Sequence, residues 1–156
     1  MKVLTENKKA YFNYEILEKF EAGISLIGQE VKAIKTRGVN LAGTYVVLKG
    51  PTKDGYPEVF WIGAKISPYQ PRNAPPDYNK ERSRKLLLRK SEIKYLIGKS
   101  RQRGLTFIPL KIYTTRSGKI KIEFVIVKGK KKFDKRELIR KREVGREIQR
   151  ELKTRG

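Results

Sequence analysis

The sequence predicts a mainly β fold of the α+β class: six antiparallel strands closed into a small barrel, two or three peripheral helices, and a basic C-terminal tail. Three observations predict it. Apolar residues recur at period two over several stretches, as half-buried antiparallel strands require. Two shorter stretches switch to the spacing of amphipathic helices. No strand–helix–strand alternation and no internal repeat occurs, which argues against a parallel sheet. Closing the strands on themselves hides edges that would otherwise pair between molecules, so an OB-like barrel is preferred to an open sheet of the same strands. The predicted boundaries are a body at 1–129 and a tail at 130–156.

Phe12, Tyr14, Ile16, Phe20, Ala22, Ile24 and Leu26 alternate with mostly polar neighbours, predicting a long strand or hairpin. Glu21-Ala22-Gly23 is expected to mark a bend, bulge or turn within it. Over Gly28–Gly38 the apolar pair Val31 and Ile34 lies three apart among polar residues, predicting a short helix that Gly38 ends. Strands are predicted at Thr44–Leu48 and Val59–Ile66, the latter with Phe60, Ile62, Ala64 and Ile66 on one face. The Gly- and Pro-rich stretch between them reads as an exposed loop. Ser67–Glu81 carries Pro68, Pro71, Pro75 and Pro76 and reads as a surface excursion. Leu86-Leu87-Leu88 is expected to be buried. Ser91 is the expected N-cap of a helix with Ile93, Leu96 and Ile97 inward and Gly104 as its stop. Leu105–Tyr113 and Lys119–Val127 form the clearest hairpin: Ile108, Leu110 and Ile112 share a face, Ile120, Ile122, Phe124 and Ile126 answer them, and Arg116-Ser117-Gly118 turns.

Beyond Val127 the character changes. Lys130-Lys131-Lys132 is followed by Phe133-Asp134-Lys135-Arg136-Glu137 and a run rich in Arg, Lys and Glu. Asp134 and Glu137 have capping-box spacing. The apolar stripe Leu138, Val144, Ile148 and Leu152 is narrow, and Gly145 interrupts it. The tail is therefore expected to be disordered or fraying alone and helical on its target.

The charge balance narrows the function. In 156 residues, 38 Lys and Arg face 16 Asp and Glu, a net +22. Such an excess repels itself in a compact state unless a polyanion neutralises it, and a body of this size points to nucleic acid or the ribosome ahead of a membrane surface. Heat adaptation also enriches lysine, but with matching acids, which are lacking here. There is no cysteine and no histidine. Disulfides, thiolate or imidazole zinc sites and Ser–His nucleophilic chemistry are thereby removed. Met1–Ala10 lacks a signal-like apolar run, and no stretch approaches the roughly 20 apolar residues of a membrane span. A cytoplasmic, non-catalytic monomer without cofactor or metal is expected.

The binding signal is distributed. Lys32, Lys35 and Arg37 lie on the first predicted helix; Arg82, Arg84 and Lys85 precede the leucines. Lys99, Arg101 and Arg103 end the second helix, and Lys128 with Lys130, Lys131 and Lys132 leaves the last strand. Any one of these is ordinary surface charge, but as a set they suit phosphate contacts that release counterions. Tyr69, Tyr78, Tyr113 and Phe133 are candidate stacking residues, whereas Trp61 and Tyr45 read as packing. Glu30, an acid in a basic helix, is either surface charge, an acceptor for base amino groups, or the holder of an arginine.

Particular words of the sequence resemble one family. Asn7-Lys8-Lys9-Ala10, Tyr14, Glu21-Ala22-Gly23-Ile24 and Gly28-Gln29-Glu30-Val31-Lys32 are similar to the opening of the SsrA-binding proteins, also called small protein B. Asn40-Leu41, Ile66-Ser67-Pro68-Tyr69, Arg84-Lys85-Leu86-Leu87-Leu88, Glu92-Ile93, Leu96-Ile97-Gly98-Lys99, Gly104-Leu105-Thr106, Pro109-Leu110-Lys111-Ile112-Tyr113, Gly129-Lys130-Lys131 and Asp134-Lys135-Arg136-Glu137 continue in the family's order. The match covers nearly the whole chain. The family carries an Asn-His-Asp-Pro-like stretch where this chain has Pro76-Asp77-Tyr78-Asn79-Lys80-Glu81, the loop Gly50–Tyr56 is longer, and the tail's stacking residue departs from the family's histidine.

The resemblance implies a role in trans-translation: binding the tRNA-like domain of transfer-messenger RNA and bringing the alanyl-charged molecule to stalled ribosomes, with elongation factor Tu engaged through the RNA. It implies that Glu30 and the Arg84–Leu88 segment, Leu88 included, bind RNA or support its binding, with Asn40 and Lys111 in matching motifs. It implies that Lys132, Phe133, Asp134, Lys135, Arg136 and the later Arg140, Arg142 and Arg146 serve the small-subunit decoding centre and the empty message channel. A structural ribosomal protein or a general OB-fold RNA binder is the alternative, and a nuclease, lacking an acid–base pair, comes third.

Overall fold

The computed structural model describes residues 1–129, so the expected tail and its residues Lys130 to Arg146 lie outside the described residues. Seven strands and three helices follow in the order β1 (Lys2–Glu6), α1 (Lys8–Asn13), β2 (Tyr14–Ile24), α2 (Gly28–Arg37), β3 (Tyr45–Lys49), β4 (Glu58–Ile62), β5 (Arg84–Leu87), α3 (Lys90–Ser100), β6 (Leu105–Thr114) and β7 (Ile120–Gly129). A single 3-10 turn, Pro71–Asn73, interrupts the excursion between β4 and β5. All pairings are antiparallel, in the order β1-β6-β3-β4-β5-β2-β7, and β7 pairs again with β6. Six strands thus close a ring and β1 lies outside it on β6, which is the mainly β, α+β class expected from the sequence.

β1 and α1 were not legible in the sequence. Lys2–Glu6 is only five residues and half exposed, and α1 takes Phe12 out of the strand assigned to it. Asn7 docks this segment: its N–H donates to Leu110 O at 2.7 Å and its Nδ2 to Pro109 O at 3.1 Å. Those carbonyls sit at an irregularity in β6, between Pro109 and Lys111, where ladder partners are lost.

A matching bulge interrupts β2 between Ile16 and Glu18, while register runs unbroken through Glu21-Ala22-Gly23, where the bend was expected. The two irregularities explain how a continuous even-numbered pattern serves two cores. Beyond them, Ala22, Phe124, Ile122, Ile126 and Ile112 join the main core with Trp61, Leu86, Ile34 and Leu96. Before them, Tyr14 and Ile16 pack with Ile108, Leu110, Val125, Val127 and Ala10 in a second cluster under α1. Ile108, Leu110 and Ile112 therefore do not share one face. A bulge changes which face the following residues present, so period-two spacing alone could not reveal this.

Two further expectations are corrected. In β4 the buried residues are Val59 and Trp61, not Phe60 and Ile62; Gly63, at φ 87, resets the phase so that Ala64 and Ile66 are buried after it. Trp61 is a packing residue as expected, its Nε1 donating to Thr44 Oγ1 at 3.0 Å, whereas Tyr45 is 41% exposed. The leucine run is not buried as a unit, because β5 alternates: Arg84 and Leu86 point in, Lys85 and Leu87 out, and Leu88 is half-buried.

The helices close the main core. α2 buries Ala33 and Ile34, and Gly38, at φ 70, ends it as predicted, with its N–H donating to Ile34 O at 2.9 Å. α3 begins at Lys90, one residue before the expected cap, with Glu92 accepting from the Arg89 N–H at 3.2 Å. Leu96 is its buried anchor, and Tyr95 lies 6.0 Å from Phe20 between ring centroids.

Candidate nucleic-acid interface

The first-turn acid of α2 turns inward. Glu30 is fully buried, and burial raises the pKa of its carboxyl. The Ile27 N–H and the guanidinium groups of Arg82 and Arg84 outweigh that effect and hold the carboxyl below its usual range. Oε1 accepts from the Ile27 N–H at 3.0 Å and from Arg82 Nη2 at 2.5 Å. Oε2 accepts from Arg84 Nε at 2.8 Å and lies 2.7 Å from its Nη2.

Arg84 is equally buried and is fully used: Nη1 donates to Ala64 O at 2.7 Å and Nη2 to Lys80 O at 3.0 Å. Arg82 reaches Ser25 O as well. Of the three roles open to Glu30 in the sequence, the structure selects the holding of arginines. Glu30 and Arg84 lie in the interior, so any part they play toward RNA is supportive: they fix the start of α2 and both ends of the 63–83 excursion.

The cations at the surface fall into groups. Lys35, Arg37 and Asn40 converge with Lys2 and Lys65 around an open depression of about 610 Å³. Lys32 is exposed on the same helix, and Lys128 is exposed near the end of β7. Three predicted contacts face carboxylates instead: Lys85 lies 3.3 Å from Glu58, Lys99 3.8 Å from Glu18 and Lys111 3.5 Å from Glu123. Such partly exposed pairs are weak and leave the cations able to exchange partners. Leu88 packs against the main core.

Sequence reasoning missed the most conspicuous surface feature. Leu87 is 55% exposed on β5 and lies against Gly23 of β2, where a Cβ would stand 3.4 Å from the leucine's Cβ and Cδ1. A groove runs past it on each side. One side is lined by Ile24, Leu26, Val31, Lys119 and Lys121. The other has Lys19, Phe20, Glu21, Arg89, Ser91 and Lys121. Glu21 and Glu92 share this lining and Lys19 lies 3.9 Å from Glu123, yet an apolar side chain flanked by Lys19, Arg89, Lys119 and Lys121 is suited to a partner offering phosphates around a sugar or base. The available signal was the strand period: with Arg84 and Leu86 inward, Leu87 had to point out. Burying a charged Arg84 instead of a third leucine is not readable from composition, because it depends on Glu30, which is distant in sequence.

Among the described residues no group of three or more Asp or Glu side chains is placed to hold a metal ion, and no helix is long and apolar enough to cross a membrane.

The family model described as "SmpB protein" matches residues 4–154. An SsrA-binding protein of Thermosipho africanus is 47% identical over 98% of this chain and 98% of its own length. Another, from Trichormus variabilis, is 47% identical over 97% of this chain and 94% of its own length. Among solved structures, a chain described as "tmRNA-SmpB: a journey to the center of the bacterial ribosome" aligns with a TM-score of 0.64 at 39% identity, covering 85% of this chain and 87% of that one. Ring, buried Glu30–Arg84 pair and exposed Leu87 are thus carried on a sequence matched almost from end to end, and the chain belongs to the SmpB protein family, the SsrA-binding proteins.

Proposed function

We propose that this protein binds transfer-messenger RNA and brings it to stalled ribosomes in trans-translation, as a cytoplasmic RNA-binding factor that catalyses no reaction. Family membership supplies the partner, and the groove around Leu87 is the observation that carries the reading. Lys19, Arg89, Lys119 and Lys121 contact phosphates of a folded RNA, while Leu87 packs on a sugar or exposed base between them. Lys32, Lys35, Arg37 and Asn40 extend the basic surface along α2, and Lys128 leads toward the chain's C-terminal part. The body, 1–129, holds the tRNA-like elbow; the tail, 130–156, acts at the decoding centre and message channel of the small subunit. Elongation factor Tu joins through the charged RNA.

Truncation after Lys132 tests this division. The shortened protein is expected to bind transfer-messenger RNA within a few-fold of the full chain, while tagging of products from non-stop messages in a reconstituted translation system is lost. In filter binding, both forms should lose affinity steeply as salt rises, by roughly 0.7–0.9 in log K per phosphate contact for each decade of salt. Loss of RNA binding on truncation, or a flat salt response, would overturn the reading. Recovery in stoichiometric amounts with ribosomal subunits would instead identify a structural ribosomal protein.

A further inference from the structure

The excursion between β4 and β5 is pinned where a surface loop would ordinarily be free. Its start is held to α2 at two adjacent points: Arg37 Nη2 donates to Pro68 O at 3.0 Å, and the Gln70 N–H donates to Gln29 Oε1 at 2.7 Å. Its return is held as well, because Tyr78 donates its hydroxyl to Ile66 O at 2.6 Å and the Ile66 N–H donates to Lys80 O at 2.9 Å. Between the first two anchors lies Tyr69, 39% exposed. Among the described residues, no hydrogen bond, ring contact or cation engages its side chain. Pro68 on one side and Pro71 two residues on restrict the backbone further.

An aromatic ring between two anchored neighbours that still keeps 39% of its surface open gains less from folding than a buried one would. The entropy of ordering its backbone has nevertheless been met by the protein before any ligand arrives. Arg37 is bonded to the neighbouring Pro68, and Arg72, exposed in the 3-10 turn, follows three residues later, so one cation is held against the segment that carries the ring and a second lies on it. We propose that Tyr69 is a preorganised stacking platform for an unpaired base of a structured RNA, with Arg37 and Arg72 on the flanking phosphates. It forms a contact separate from the Leu87 groove, since no residue is shared between them. The ligand class follows from the chemistry: a base offers a π-face to the ring, and phosphates satisfy the arginines. This inference deepens the proposed function and rests on it.

The test uses the full chain and transfer-messenger RNA. Tyr69→Ala is expected to weaken binding about five- to hundred-fold, the range for one base–aromatic stack, with melting temperature unchanged. Tyr69→Phe should bind like the parent. The salt slope should stay the same in all three, because no phosphate contact is removed. Tyr69→Trp supplies a direct readout: its solvent-exposed emission should be quenched when RNA is added. Parental affinity in Tyr69→Ala, or unquenched emission in Tyr69→Trp at saturating RNA, would overturn the proposal. If the parent itself failed to bind this RNA, the proposed function would fall first, so the two failures are distinguishable.

Discussion

At Glu30 a carboxylate sits in the interior with four donors around it, so folding depends on its ionisation. Its pKa in the folded protein lies below the ordinary value of 4.5. The stabilisation it brings is therefore complete above that ordinary value and is lost as pH falls through the lowered one. Glu30→Gln leaves the buried guanidinium of Arg84 without a counter-charge and should cost about 3–5 kcal/mol at neutral pH, measured by urea unfolding. Repeating the titration at lower pH should show the parent converging on the variant, since protonated Glu30 and glutamine are then alike in charge. A gap that stayed constant from pH 7 to pH 3 would contradict this account.

β5 presents the same logic along an element. Four residues alternate between the core and the surface, and two chemically identical neighbours face opposite ways. Leu86→Ala should destabilise by about 2–5 kcal/mol, as a core truncation does. Leu87→Ala should leave the melting temperature within a degree or two yet lower affinity for transfer-messenger RNA. Melting curves and filter binding on the two variants separate these effects, and equal destabilisation of both would refute the assigned faces. This strand also marks the limit of what the sequence made legible. The hairpin β6–β7 and α2 were readable because their patterns are long or end on a glycine needed at positive φ. The outward leucine and the inward arginine were not, because each depends on a partner far along the chain, Gly23 and Glu30, and the two bulges leave no mark in a period-two pattern.

For the molecule as a whole, class and net charge followed from local patterning, while closure rested on the need to hide strand edges, and the placement of charge was not legible. Cations that looked equivalent in sequence divide into those facing carboxylates, such as Lys99 and Lys111, and those left in open depressions, such as Lys35 and Lys121. β1 completes the architecture as an edge strand on β6, and α1 covers the second cluster on β2, β6 and β7, which is why that hairpin carries apolar residues at odd and even positions alike.

The two-sided burial of β7 has a consequence for motion. From Ile122 to Val127 its strand is bonded along both edges, to β2 and to β6, and sheathed above and below. Exposing any of its amides to deuterium therefore requires the ring itself to come apart. Amides of Phe124 to Val127 should exchange only through global unfolding, while those of the 70–79 segment, which lies outside the sheet, exchange earlier, so the frame outlasts any local opening of its surface.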